Sequence, residues 1–362
     1  MPPDSRAARQ RGVRAALATE GVDGLLVTHL PNIRYLTGFT GSAGLLLVRP
    51  SDAVLVTDFR YATQAPREVG EAARVDVDPV SVWQRLGKEL AEVPLEALGV
   101  EAQSLTIRDA ERVSGATRGR VVPTVDLVER LRAAKDPDEV RAIRCAASLA
   151  QDALAEVLPE IGPGRTEREI AAALEGALRR GGSEWHPFPT IVASGPRSAL
   201  PHARTSGRVL EAGDWLLLDF GAQVDGYCAD LTRTVVVGRR ADERQRAVYQ
   251  LVETAQRRAL DHLRAGMTGR EGDALARAVI AERGFGDAFG HSLGHGLGLE
   301  VHEAPRVAPT AEAPLPLHAV VTVEPGIYLP GWGGVRLEDD VYLGPDGPEC
   351  LSDNRTELVE LV

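Results

Sequence analysis

The sequence predicts a two-domain protein: a compact α/β domain over residues 1–133, followed by a larger α+β domain over 134–362. Three observations predict it. The chain has 362 residues, more than one hydrophobic core usually organises. Its hydrophobic fraction of 44% is ample for burial. Its texture also changes near residue 130, from short apolar runs between polar helical stretches to long, well-marked helices separated by strands.

In the first part, SRAARQRGVRAALATEG reads as a helix and GLLVTH, GLLLVRP, AVLVTDF and RVDVDPV as strands. The second part opens on KDPDEVRAIRCAASLAQDALAEVLPEIGPG. Here Asp136 is a plausible N-cap, Pro137 takes the first helical position, and Glu139 falls three residues after the cap. Another helix opens at Thr166, with Glu169 three residues on, and stops at Gly181 and Gly182. The segments ADERQRAVYQLVETAQRRALDHLRAG and REGDALARAVIAERG read as two more.

Bulk properties remove several function classes. A formal charge of -11 argues against nucleic acid or an anionic membrane as partner, since both require a basic footprint. The N-terminus is studded with arginine and has no apolar core of a secretory signal, and no window approaches eighteen apolar residues. Cys145, Cys228 and Cys350 are too few and too dispersed for a disulfide framework or a thiolate zinc site. The expectation is a soluble cytoplasmic protein.

The strands of the larger domain carry the chemistry. In DWLLLDFGAQVDGYCADLTRTVVVG two apolar runs flank Asp225-Gly226, a strong two-residue hairpin signal. That turn sets Asp219 opposite Thr232 and makes Asp230 the diagonal neighbour of Asp219 on the same face, at about 7 Å or less between Cβ atoms. Ionised carboxylates on such apolar strands need a compensating charge. No lysine or arginine alternates with them on the same strand face, so a metal cation is the economical partner.

A similar arrangement recurs in AVVTVEPGIYLPGWGGVRLEDDVYL. Glu324 ends an apolar strand before a Pro-Gly pair that reads as a turn, and the chain returns through Val335 to Glu338. Alternation sends Arg336 and Glu338 to one face and Val335, Leu337 and Asp339 to the other. For Asp339 and Asp340 a solvated edge position is a respectable alternative.

Between the ribbons lies HSLGHGLGLEVHE, with His291, His295 and His302. Gly294, Gly296 and Gly298 make a helix that would stack His291 on His295 expensive; they suggest backbone that bends closely around something. A lone histidine is more often structural than a ligand, which is the reading kept for His262 and His318. Three in one loop, beside four inward carboxylates, reverse those odds.

These segments resemble the pita-bread metallopeptidases, specifically the Xaa-Pro peptidases, prolidase and aminopeptidase P. The resemblance rests on LLLDFGAQVDGYCADLTRT, GHSLGHGLGLEVHE, VTVEPGIY and VRLEDD in the family's order, and extends forward through RYLTGFTGSAG. It implies an N-terminal creatinase-like α/β domain followed by a C-terminal pita-bread α+β catalytic domain. It also implies that Asp219, Asp230, His295, Glu324 and Glu338 hold two divalent metal ions. Asp219 would serve one ion, His295 and Glu324 the other, and Asp230 and Glu338 would bridge. A donor set dominated by oxygen favours Mn(II), with Co(II) or Zn(II) as substitutes.

By the same resemblance, His202 and His302 would meet the scissile carbonyl and the substrate, supporting proton delivery to the proline nitrogen. His291 would line the proline pocket, and Arg336 would hold the bridging carboxylates. The implied reaction is metal-assisted hydrolysis of small peptides with proline at the second position. Trp185 to Gly195 offers aromatic surface for the pocket, with ordinary core as an equal alternative. A dipeptidase is preferred to an aminopeptidase acting on longer peptides, because the chain is short. Arg34, Arg60, Arg197 and Arg204 are candidates for the substrate carboxylate. A homodimer is expected, with the N-terminal domain reaching the partner's site. A non-catalytic binding module, a metal-free creatinase-type hydrolase and a methionine aminopeptidase fit less well.

Overall fold

The computed structural model describes residues 3–352 and 357–362. The backbone divides into two compact units, Met1–Arg132 and Ala133–Val362.

In the first unit, six strands are interspersed with helices, β2 and β3 forming a hairpin: α1 (Pro3–Glu20), β1 (Gly24–Val27), α2 (Leu30–Thr37), β2 (Gly44–Val48), β3 (Ala53–Asp58), α3 (Gln64–Val69), β4 (Arg74–Asp78), α4 (Val82–Glu92), β5 (Ala97–Glu101), α5 (Ile107–Ala116), β6 (Arg120–Thr124) and α6 (Glu129–Arg132). The sheet order is β4-β3-β2-β1-β5-β6, with β1–β2 and β2–β3 antiparallel and the other pairs parallel. The four strands read from sequence are present; β5 and β6 were missed, their runs being diluted by Glu, Gly and Pro. This unit is a mixed α/β domain.

The second unit continues with α7 (Pro137–Val157), α8 (Glu167–Gly181), β7 (Ile191–Ser194), β8 (Trp215–Phe220), β9 (Gln223–Val224), β10 (Tyr227–Cys228), β11 (Leu231–Val237), α9 (Glu243–His262) and α10 (Gly269–Glu282). After these come β12 (Gly294–Gly296), β13 (Glu303–Val307), β14 (Val320–Val323), β15 (Gly326–Leu329), β16 (Gly333–Arg336), β17 (Asp339–Gly344), β18 (Gly347–Cys350) and β19 (Glu360–Leu361). Each of the four helices begins with a reciprocal capping box, Asp136–Glu139, Thr166–Glu169, Asp242–Gln245 and Thr268–Glu271. Each such cap is worth about 1 kcal/mol. Gly182 closes α8 in the left-handed conformation, φ 107°.

Besides the two-stranded ribbons β9–β10 and β15–β16, two larger sheets form, each backed by a helix pair. On the β19-β11-β8-β7 sheet, Leu216, Leu218 and Val235 pack against Ile170 and Leu174 of α8 and Ala150 of α7. On the β13-β12-β14-β17-β18 sheet, Val321, Val323 and Val341 pack against Val252 and Ala255 of α9 and Ile280 of α10. Because side chains alternate along a strand, every second residue faces away from the helices. Asp219, Thr232 and Thr322 occupy such inward positions.

Candidate metal centre

The first ribbon has the register the sequence implied. Asp225 and Gly226 both have positive φ, 52° and 82°, as a two-residue hairpin turn requires. Tyr227 pairs with Val224, and Asp219 pairs with Thr232. Leu216, Leu218 and Phe220 are spent on the helix-backed core, so Asp219 points the other way. Asp230 lies just before β11, where the ladder is interrupted.

The second ribbon differs from expectation in one respect. Pro325-Gly326 is not a turn. The antiparallel register runs from Val320↔Tyr342 to Val323↔Asp339 and resumes at Gly326↔Arg336, so the ribbon continues to a tip beyond Leu329. Pro325 falls at the break between the two ladders, the position where a missing N–H costs least. The break leaves Glu324 and Glu338 facing each other in register. Arg336 and Glu338 do share a face, as alternation requires, since both reach the Thr232 hydroxyl: Arg336 Nε donates to it at 3.1 Å and it donates to Glu338 Oε2 at 2.6 Å.

The histidine segment is neither helix nor open loop. Its middle is β12, and the glycines serve close packing of backbone. A Cβ on Gly294 would lie 2.0 Å from the Thr322 carbonyl oxygen, and one on Gly296 would lie 2.2 Å from that of Ala304. His295 is thereby held between its neighbours, with Nδ1 at 3.0 Å from the Gly296 carbonyl.

The nine residues given ligand or accessory catalytic roles in the sequence analysis, Asp219, Asp230, His295, Glu324, Glu338, His202, His291, His302 and Arg336, line one cleft of about 1140 Å³ within the second unit. Donor atoms of Asp230, His295 and Glu338 lie within 4.8 Å of one another. His295 Nε2 is 3.5 Å from Glu324 and 3.8 Å from Asp230. Asp219 stands outside this group and takes a 2.5 Å hydrogen bond from Arg336 Nη2. The compensating cation that the first ribbon lacks along its own strand therefore arrives from the second. Arg336 does not hold the Asp230 and Glu338 carboxylates directly: it touches Asp219, Thr232, the Pro201 carbonyl and Tyr328, and reaches Glu338 through Thr232.

The electrostatics leave room for more positive charge. Burial pushes the Glu338 carboxyl up to about 7, with the Asp219 charge adding to it. Burial and the neighbouring acids raise Asp230 and Glu324 well above the carboxylate range. Asp230 Oδ1 is buried with no hydrogen-bond partner. Burial also holds His295 near 4, so its imidazole is neutral and free to donate a lone pair. An orphaned carboxylate oxygen, a neutral imidazole and further acids within ligand reach are what a divalent cation requires, so the residues present fit such an ion.

The accessory residues are also placed. His302 packs on His295 with ring centroids 4.3 Å apart, and burial lowers its pKa. His291 Nε2 is 2.8 Å from the Tyr328 hydroxyl, and its ring lies edge-on to Phe289. His318 stacks on Tyr342, and His262 bonds its own helix; both are structural. Trp185 is neither cleft nor core: it is 57% exposed, while Phe188 lines the cleft. Of Arg197 and Arg204 only Arg204 lines the cleft, since Arg197 pairs with Glu167. The solvated reading of Asp339 and Asp340 is overturned, both being 0% exposed.

Sequence reading missed Thr232, Tyr328 and Arg306. Register had already set Thr232 opposite Asp219, and alternation from Glu324 through Gly326 puts Tyr328 on the inner face. Arg306 joins the cleft through β13 pairing, for which no local signal exists.

Residues 141–345 match the profile of metallopeptidase family M24, and residues 9–134 match the creatinase/prolidase N-terminal domain. The chain belongs to metallopeptidase family M24. Its relatives in that family include an uncharacterized peptidase, YqhT, of Bacillus subtilis, 42% identical over 94% of this chain and 96% of the other. A Xaa-Pro dipeptidase of Pyrococcus horikoshii is 37% identical over 93% and 95%. Among solved structures, a Xaa-Pro dipeptidase from Bacillus anthracis superposes with a TM-score of 0.95 at 40% identity, covering 98% of this chain and 100% of that one. An X-Pro aminopeptidase from Thermotoga maritima gives 0.88 at 38%, covering 94% and 98%. The M24 assignment makes the chain a hydrolase that uses divalent metal, with the creatinase-like domain first and the catalytic domain second. No helix among the described residues is long and apolar enough to cross a membrane.

Proposed function

We propose that this M24 peptidase hydrolyses the Xaa-Pro bond of small peptides, with dipeptides as preferred substrates. The observation that carries the reading is the group of Asp230, His295 and Glu338 donors within 4.8 Å, inside a cleft that also holds His202, His291 and His302. Asp219, Asp230, His295, Glu324 and Glu338 would hold two divalent ions, with Mn(II) preferred and Co(II) or Zn(II) as substitutes. When bound, such ions lower the pKa of a nucleophilic water and polarise the scissile carbonyl.

The chain's own residues do the rest. Asp219 is fixed by Arg336, and Glu338 by the Thr232 hydroxyl. Proline forms a tertiary amide whose nitrogen must gain a proton to leave. His302 is kept neutral at pH 7 by burial, so it accepts a proton in the cleft and passes it to that nitrogen. His202 meets the carbonyl oxygen, and His291 with Phe188 walls the proline ring.

Dipeptide preference is supported by the two relatives that carry that name, and by Arg204 and Arg306 in the cleft as partners for a free carboxylate. The second reading, an aminopeptidase on longer peptides, is favoured by the Thermotoga maritima structure. Ala-Pro compared with Ala-Pro-Ala on Mn(II)-loaded protein decides: higher kcat/KM for the tripeptide would transfer the assignment. A homodimer in the cytoplasm belongs to the same proposal, and sedimentation of the purified chain checks the first.

A further inference from the structure

The wall of the cleft that carries His202 is a loop that leaves β7 at Ser194. It turns through one short 3-10 helix, Gly195–Ala199, and comes back beside the start of α8. Pro201, His202, Ala203 and Arg204 face the cleft from it. Such a segment has few ladder bonds of its own, so something else must fix where His202 points.

One buried carboxylate binds the loop at its exit, middle and return. Glu167, the first residue of α8, is 0% exposed. Its Oε1 accepts from the Ser194 N–H and hydroxyl, both at 2.9 Å, and from Arg197 Nε at 3.0 Å. Its Oε2 accepts from the Ser206 N–H at 2.9 Å and the Ser206 hydroxyl at 2.7 Å. Arg197 passes the restraint inward, since its Nη2 donates at 2.5 Å to the carbonyl of Arg204, two residues past His202. Burial pushes Glu167 up, yet the hydrogen bonds from Ser206 and Ser194 outweigh it and hold the group below the usual range, so it stays ionised. Glu167 does not line the cleft itself.

We propose that Glu167 is a positioning residue, fixing the loop through Ser194, Arg197 and Ser206 so that His202 meets the substrate. The proposal rests on the reading of His202 given above. A carboxylate that merely stabilised the fold would show the same contacts, so the test must depend on His202.

Glu167→Gln keeps the shape but turns one acceptor oxygen into a donor facing other donors. The full-length, Mn(II)-loaded enzyme is assayed on Ala-Pro as wild type, E167Q, H202A and the double variant, with metal content measured for each. In the wild-type background E167Q is expected to lower kcat at least about 10-fold with metal retained; in the H202A background it is expected to cost under about 2-fold. Equal losses in both backgrounds, full activity of E167Q, or loss of metal from it would overturn the proposal. Should E167Q not fold, Ser206→Ala runs through the same cycle, with about a 3-fold loss expected that vanishes in H202A. Failure of the underlying reading appears separately, as full activity of H202A alone, and that result overturns the proposal too.

Discussion

Glu338 and Asp339 are adjacent, fully buried carboxylates on opposite faces of one ribbon, and their surroundings differ in kind. Asp339 points to the helix-backed side. There Arg233 pairs with it at 2.7 Å, Ser352 donates at 2.6 Å and Gln256 at 2.8 Å. Glu338 points inward, where Thr232 and the more distant Arg336 are set against Asp230, Asp219 and Glu324. Burial alone therefore does not mark a metal ligand. Asp339 is buried with its charge met by Arg233, whereas Glu338 is buried among acids of like charge, and the two residues separate those conditions within one peptide unit.

The largest expected effect breaks the comparison directly. Glu338→Ala, or Asp230→Ala, is expected to reduce turnover to background while the chain stays folded by circular dichroism. Full activity in either would remove the two-ion assignment. Asp339→Ala is expected to do the opposite: it takes the carboxylate away from the largely enclosed Arg233 guanidinium and destabilises the fold by about 3–5 kcal/mol. Denaturant unfolding of the metal-loaded protein reads that loss. An Asp339 variant as stable as wild type would make the two faces equivalent.

A smaller effect is expected at His302, which touches His295 yet is read as a proton carrier. His302→Ala should lower kcat by about 100-fold or more, with metal content unchanged by elemental analysis. Loss of metal instead would move His302 into the ligand group. Smaller again is Arg336→Met, where Asp219 loses its guanidinium. Metal affinity is then expected to fall about 10–100-fold, measured by competition with a chelator; unchanged affinity would leave Arg336 a role in packing only.

The sequence made the first ribbon almost fully legible, because a two-residue turn fixes register and register fixes faces. Asp225-Gly226 alone placed Asp219 against Thr232. The second ribbon was misread at Pro325-Gly326, since a proline followed by glycine signals a turn equally well as a ladder break. The faces of Arg336 and Glu338 were still recovered, because alternation counts from either end. Asp339 and Asp340 were misjudged for a different reason: their burial depends on Arg233 and Ser352 and on the amide of Asp230, partners supplied by tertiary packing. Glu167 was invisible for the same cause. In sequence it is an ordinary acid in the first turn of a helix, and only the return of the loop at Ser206 makes it the hub of five donors.

The last prediction sharpens the comparison without any assay of turnover. Glu338 titrates near 7 in the folded chain against an ordinary value of 4.5. A carboxyl raised in the native state stabilises the fold while protonated, so its contribution is fully present below about 4.5 and is lost as pH rises through 7. The metal-free protein should therefore lose stability between those values, by an amount on the order of a few kcal/mol or several degrees in Tm. Glu338→Gln removes one of the titrating groups and should make that part of the curve less steep, the remaining slope coming from Asp230 and Glu324. Bound divalent ions should do the same by keeping the carboxylate ionised, so the Tm difference between metal-loaded and chelated wild type should widen as pH rises. A difference that stayed constant from pH 4.5 to 8 would show that the inward acids are already compensated without metal, as Asp339 is.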